Sequence, residues 1–203
     1  MRLPADTVLI VIDVQEAIDD PRWGPRNNLE AEANIAALIA AWRVESLPLV
    51  HVRHDSVDPA SPYAPHGPGH RFKRCAAPLD CEPVIGKNAN SAFVGTALEE
   101  MLDDLGATTL VVCGVLTPNS VEATARHAGN LGYQVFVVAD ACWAVDKVDL
   151  SGKRWPAEDV HALSLAHLHG EYGRVVDTAT TLRAAATAKA RQRHAARKTW
   201  SFR

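Results

Sequence analysis

Apolar runs and segments of helical period alternate along this chain. Residues 7–14 form a continuous, largely β-branched run, too short for a helix signal and suited to a strand covered on both faces. Residues 30–44 place Ile35, Leu38, Ile39 and Trp42 at the spacing of one helix face packed on a sheet. Residues 49–54 predict a second strand and 83–86 a third. Between them, 58–69 is rich in Pro and Gly. Strand patterning resumes directly afterwards, so this stretch reads as a functional loop and not as a linker. The alternation continues with helix 94–104, strand 108–113, helix 119–130, strand 133–139, helix 156–169 and strand 174–176. Pro156, with Glu158 and Asp159 behind it, marks a helix start, and Gly170 a stop.

Helices alternating with buried strands predict a three-layer α/β/α sandwich, Rossmann-like, around a mostly parallel six-stranded sheet. Ligands of such sheets sit at the carboxyl ends of the strands. Residues 1–182 are expected to form one domain. Residues 183–203 are Ala-rich and carry seven Lys/Arg and no Asp or Glu; they are expected to extend the last helix and end as a solvated basic tail.

Composition narrows the class. A hydrophobic fraction of 47% and a charged fraction of 22% over 203 residues suit one globular domain with a real core. A net charge of −3 gives no whole-protein reason to expect a nucleic-acid partner. The first residues lack the apolar run of a signal peptide, and no apolar stretch approaches membrane-spanning length. A cytoplasmic location and no membrane partner are therefore expected. Cys75, Cys81, Cys113 and Cys142 show neither a C-x-x-C pair nor zinc-ligand spacing, so free thiols are expected. Cys113 lies within an apolar strand run and reads as an inert packing residue.

Three segments carry candidate chemistry: Thr7 to Gln15, with Asp13 ending a strand; Val84 to Phe93, with Lys87 after a strand; and Gly114 to Arg126, a strand-turn-helix with Ser120 in the turn. Together and in this order they resemble the isochorismatase-like hydrolase superfamily, over about residues 5 to 182. The amidase branch of that superfamily is the cysteine hydrolases, in which an Asp, a Lys and a Cys form a triad. The matching positions here are Asp13, Lys87 and Ser120, so a serine stands where the pattern calls for cysteine.

The resemblance implies an activity, hydrolysis of a C–N bond of amide, lactam or ureido type in a small polar molecule. In the family the carboxylate takes the nucleophile's proton, an acyl-enzyme forms, and water releases it. The oxyanion hole would be the N–H groups of Leu116 and Ser120, with a cis peptide between Val115 and Leu116. A thiol, with a reference pKa of about 8.5, is readily deprotonated by a nearby base. A serine hydroxyl needs a well-aligned base, and no His occupies the base position here. Three readings of Ser120 stay open at this point: an engineered Cys replacement, a native residue with altered chemistry, or a site that binds without turnover. Isochorismatases lack the cysteine and cleave a vinyl ether by protonation, which would make Asp13 a general acid.

Around the triad the resemblance implies substrate-binding positions at Gln15, Trp23, His54 and Phe93, Gln15 also having a structural hydrogen-bonding role. It implies no cofactor, a small-molecule substrate and a homo-oligomer. His51, His54, Asp55, His66 and His70 invite a metal hypothesis, but their order differs from that of the metal-binding nicotinamidases. The resemblance is to metal-free members, so no metal is expected. On helix 156–169, positions 161, 165 and 168 share the predicted core face with Leu163 nearby, which makes His161, His167 and His169 packing or solvated residues. Gly67, Pro68 and Gly69 follow no strand and form no phosphate loop.

Overall fold

The computed structural model describes residues 1–188. Six strands form one sheet: β1 (Val8–Ile12), β2 (Leu49–His54), β3 (Val84–Lys87), β4 (Thr109–Val115), β5 (Gln134–Trp143) and β8 (Arg174–Val176). Their order is β3-β2-β1-β4-β5-β8, and every pairing is parallel. Helices α1 (Ala31–Glu45), α2 (Leu98–Asp104), α3 (Glu122–Asn130) and α4 (Ala157–Leu168) supply the crossovers. Every residue of β1 and β4 is buried, which requires cover on both faces of the sheet. These two central strands are nearly pure hydrocarbon, and polar groups appear only at their ends.

The order reverses between β1 and β4. Connections leave β1 toward β2 and β3 on one side and β4 toward β5 and β8 on the other, which opens a crevice at the carboxyl edge. Gly114 makes the close approach of these two strands possible: its φ is +122°, and a Cβ there would run into the Ile12 backbone.

Where the elements depart from the sequence pattern, local polar bonds decide. The helix expected over 94–104 begins only at Leu98. The Thr96 hydroxyl donates to the Ala92 carbonyl at 2.5 Å and accepts from the Leu98 N–H, which ends the helix N-terminally. The helix expected from 119 opens with a π-helical turn, Thr117–Val121, before α3. β5 runs on to Trp143, past a register irregularity opposite Val112 and Gly114. A hairpin of two-residue strands, β6 (Lys147–Val148) and β7 (Arg154–Trp155), has no counterpart in the sequence reading. Its turn is organised by Asp149, which accepts from the Ser151 and Lys153 N–H groups and from Trp155 Nε1. On α4 the buried residues are Ala157, His161, Ser164 and Leu168, whereas Leu163 faces solvent at 59% exposure.

The domain boundary expected at 182 falls inside a helix spanning 178–188, where Ala184, Ala185 and Ala188 are buried in the core. The rest of the expected basic tail lies outside the described residues. No helix among those described is long and apolar enough to cross a membrane. The four thiols are free. Burial pushes Cys113 well above the ordinary thiol value and Cys142 up to about 12, so neither forms a thiolate nucleophile at neutral pH.

Candidate active site

Asp13, Lys87 and the turn at 117–121 meet at the carboxyl edge of the sheet, across the crevice between β1 and β4. Asp13 adopts φ +54°, a left-handed backbone that Asp tolerates better than most residues. Its N–H donates to Val52 O at 2.9 Å and its carbonyl accepts from Gln15 N at 2.8 Å, which locks this conformation at the strand end. Opposite, the peptide between Val115 and Leu116 is cis. It carries the chain from β4 into the π-turn with Leu116 and Ser120 both on the cavity wall.

Lys87 organises the polar cluster. Its ammonium donates to Asp13 Oδ2 at 2.7 Å, to the Ala89 carbonyl at 3.0 Å, to Ser120 Oγ at 3.1 Å and to His54 Nδ1 at 3.3 Å. Four acceptors compete for three N–H bonds, so at least one hydrogen is shared. An ammonium only donates, so His54 Nδ1 accepts and the imidazole proton sits on Nε2. Burial, and next the Lys87 charge, lower the His54 pKa, which keeps the ring neutral.

Asp13 is held the other way. Burial raises its carboxyl above 3.8, and the Lys87 ammonium offsets only part of that push. Its Oδ1 is buried with no hydrogen-bond partner. A buried carboxyl with a raised pKa and a free oxygen, beside a hydroxyl, is equipped to take and return a proton.

The cavity in front of this cluster measures about 150 Å³ and is lined by Asp13, His54, Ser120 and the aromatic pair Trp23 and Tyr63, among others. Tyr63 stands edge-on to His54 (5.6 Å) and to Trp23 (6.1 Å). Burial pushes its hydroxyl well above the ordinary tyrosine value, so it remains a donor.

Comparison with known proteins identifies the family of the chain. The isochorismatase domain matches residues 7–180. The chain belongs to the isochorismatase family of hydrolases. An isochorismatase-family protein of known structure from Chromobacterium violaceum superposes with a TM-score of 0.89 at 52% identity, covering 92% of this chain and 97% of that one. The isochorismatase family protein YrdC of Bacillus subtilis is 39% identical over 170 residues, 84% of this chain and 91% of its own length. Streptothricin hydrolase of Streptomyces noursei is 35% identical over 133 residues, 66% of this chain and 48% of that protein.

Within this isochorismatase fold, the structure brings together Asp13, Lys87, Ser120, Leu116, His54 and Trp23. Two residues expected to bind substrate are placed elsewhere. Gln15 is buried behind the cavity: its Nε2 donates to the His54 and His70 carbonyls and its Oε1 accepts from the His54 N–H. Its amide is thus consumed in tying β2 to the turn at 68–70. Phe93 packs against His127 (5.0 Å) and Tyr133 (6.2 Å), and it is not among the cavity-lining residues; the Ala92 N–H bond to Thr124 Oγ1 holds its segment against α3 instead.

The histidines singled out for a metal disperse. His51 bonds Glu82 at 3.0 Å, His54 accepts from Lys87, and His70 bonds Asp55 at 2.6 Å. Among the described residues no group of three or more His, Cys, Asp or Glu is arranged to hold a metal ion. His161 is buried with Nδ1 2.8 Å from Thr117 Oγ1, and so braces the π-turn. Ser61, Tyr63, Asn90, Asn119 and Lys147 line the cavity without having been singled out in the sequence. Asn90 and Asn119 lay inside the quoted motifs and could have been found there. Tyr63 sits in the Pro-rich loop and Lys147 in the unforeseen hairpin, where no pattern pointed to the cavity.

Proposed function

We propose that this hydrolase cleaves a C–N bond of a small polar amide, lactam or ureido compound, with Ser120 Oγ as nucleophile and Asp13 as the proton carrier. Ser120 attacks the carbonyl carbon while its proton passes to Asp13, and the carbonyl oxygen takes the charge, facing the N–H groups of Leu116 and Ser120. The tetrahedral intermediate then collapses, the C–N bond breaks, and Asp13 returns the proton to the leaving nitrogen. Water then attacks the resulting ester while giving up a proton to Asp13, and Asp13 passes that proton to Ser120 Oγ as the acyl C–O bond breaks, so that the net change is amide plus water to acid plus amine. Lys87 holds Asp13 ionised enough to act as base and fixes the Ser120 oxygen through the 3.1 Å bond.

The observation that carries this reading is the buried Asp13 carboxylate, whose Oδ1 is unpartnered and whose Oδ2 shares the Lys87 ammonium with Ser120 Oγ. The raised Asp13 pKa also favours a second reading, in which a protonated Asp13 acts as general acid on a vinyl ether without any covalent step. Ammonia release from small primary amides and ureido compounds, together with chromatographic detection of ring opening for lactams, separates them. The C–N reading predicts that Ser120→Cys raises turnover and that adding Asp13→Asn abolishes it. No ammonia from any variant, with cleavage of a vinyl ether that survives Ser120→Ala, would support the second. Ligand binding without turnover, unchanged by Asp13→Asn, would contradict both.

A further inference from the structure

The turn whose N–H groups would face the substrate carbonyl oxygen has little support of its own. Its π-helical bonds run from the Val121 N–H to the Leu116 carbonyl at 3.3 Å and from the Glu122 N–H to the Thr117 carbonyl, a wider ring than that of an α-helix. Leu116 stands at the N-cap position and has no side-chain cap to offer, and Pro118 has no N–H. Among the described residues the Leu116 N–H donates to no acceptor, as a donor kept for a substrate requires.

Support comes instead from α4. His161 and Thr117 are both buried, and His161 Nδ1 lies 2.8 Å from Thr117 Oγ1. On the other side of the ring, Asn28 Nδ2 sits 3.3 Å from His161 Nε2. The two hydrogens of that amide go to the Cys142 carbonyl at 2.7 Å and the Ala139 carbonyl at 3.0 Å, so it has none for the ring. The imidazole proton is therefore assigned to Nε2, on the side of the Ala139 carbonyl, and Nδ1 accepts from the Thr117 hydroxyl. Burial is the largest cause of a lowered His161 pKa, which keeps Nδ1 free to accept.

A rigid chain thus runs from the end of β5, through Asn28 and His161, to Thr117, which follows Leu116 directly and shares a five-residue turn with Ser120. The Thr117 hydroxyl makes no side-chain cap to the turn itself; its bond goes to α4. We propose that His161 is a positioning residue: acting through the Thr117 hydroxyl, it fixes the direction in which the Leu116 and Ser120 N–H groups meet the substrate carbonyl oxygen. Neither His161 nor Thr117 borders the cavity, so the effect reaches the reaction through the turn alone. A residue that merely filled space at 161 would need no hydroxyl at 117. The proposal rests on the C–N reading for its reaction, but the turn can be observed without turnover.

Thr117→Val keeps the shape of the side chain and deletes the hydroxyl, Thr117→Ser keeps the hydroxyl, and His161→Leu deletes the acceptor; circular dichroism confirms that each variant is folded. Relaxation-dispersion NMR on the full chain should show millisecond exchange at the Leu116 and Ser120 amides in Thr117→Val and His161→Leu, and none in Thr117→Ser or the unsubstituted protein. Ammonia release from propionamide should follow the same division. In the two disrupting variants kcat should fall about 10–10²-fold with KM within about twofold, because misplaced donors weaken the transition state and not the ground state. The double variant Thr117→Val with His161→Leu should fall no further than the worse single one, since both delete one bond. Amides without exchange in both disrupting variants, or losses that multiply in the double variant, overturn the assignment. Exchange at the two amides with no ammonia from any protein upholds the anchoring of the turn and sinks the C–N reading. Ammonia from every variant at equal kcat, with both amides free of exchange, does the reverse.

Discussion

Glu82 and Asp13 each face a cation at the margin of the same sheet, and their surroundings treat the carboxylate in opposite ways. Glu82 receives Arg43 Nε and Nη2 at 2.7 and 2.8 Å on its two oxygens, His51 Nε2 at 3.0 Å and the Leu79 N–H at 2.8 Å. The forked Arg43 contact is the first cause of a carboxyl held down at about 2. Asp13 has a single strong partner, Lys87, and a second oxygen with none. There burial wins and the carboxyl is held up. A carboxylate whose lone pairs are filled ties a strand to a helix; one left half-satisfied in a buried site is available to exchange a proton.

The largest effect expected from this contrast is on turnover. Asp13→Asn combined with Lys87→Met should lower ammonia release by about 10²–10⁴-fold, the usual contribution of a positioned acid–base group. The same double variant should keep its urea-unfolding stability within about 1 kcal/mol, because replacing a whole buried ion pair is often neutral. A large loss of stability would make the Asp13–Lys87 pair a structural device like Glu82–Arg43.

Glu82→Gln should do the converse. It removes the charge and replaces one acceptor oxygen by an NH2 group that faces donors, and should cost about 1–3 kcal/mol in urea unfolding, with kcat unchanged. A fall in kcat without a fall in stability would tie the Glu82 cluster to the chemistry.

The pH dependence of stability offers a smaller, signed test. Glu82 is depressed from 4.5 to about 2, so its contribution is full above pH 4.5 and fades as pH falls toward about 2. Glu82→Gln should flatten that acid limb. Asp13 is raised above 3.8, so its contribution is full below 3.8 and is lost as pH rises through its folded value. The two carboxyls thus tilt the stability curve in opposite directions, and fluorescence-monitored melts from pH 3 to 7 on the two single variants would expose a shared sign.

The smallest effect expected is at Gln15. Its amide ties β2 to the turn at 68–70 and does not border the cavity, so Gln15→Ala should cost about 1 kcal/mol or more of stability. Its KM should shift less than that of a variant at Trp23, whose ring lines the cavity. Steady-state kinetics on the two variants would show whether Gln15 contacts substrate after all.

The sheet was legible because its two central strands, β1 and β4, are almost entirely apolar: the β-branched run beginning at Thr7 and the run around Cys113 admit few other structures. The meeting of Asp13, Lys87 and Ser120 followed from their places at strand ends together with the family resemblance. The hairpin carrying Lys147 was not legible, since two-residue strands are too short for alternation and their geometry comes from Asp149 bonds. The family resemblance implies substrate contact at Gln15 and Phe93, with a structural hydrogen-bonding role as well for Gln15, and that second role is the one its amide fills. Yet sequence proximity does not fix direction at a strand end, and hydrogen bonding turned Gln15 inward while packing on α3 turned Phe93 away. Tyr63 reaches the cavity from a loop whose path no periodicity describes.

The most direct test of the central claim is a carbon-detected NMR titration of the Asp13 side-chain carboxyl in the folded protein, with Glu82 as internal contrast. The account predicts an Asp13 midpoint above 3.8 while the Glu82 signal stays ionised down to acid unfolding. An Asp13 midpoint below 3.8 would make it another filled structural carboxylate, and would contradict its role as the proton carrier of this site.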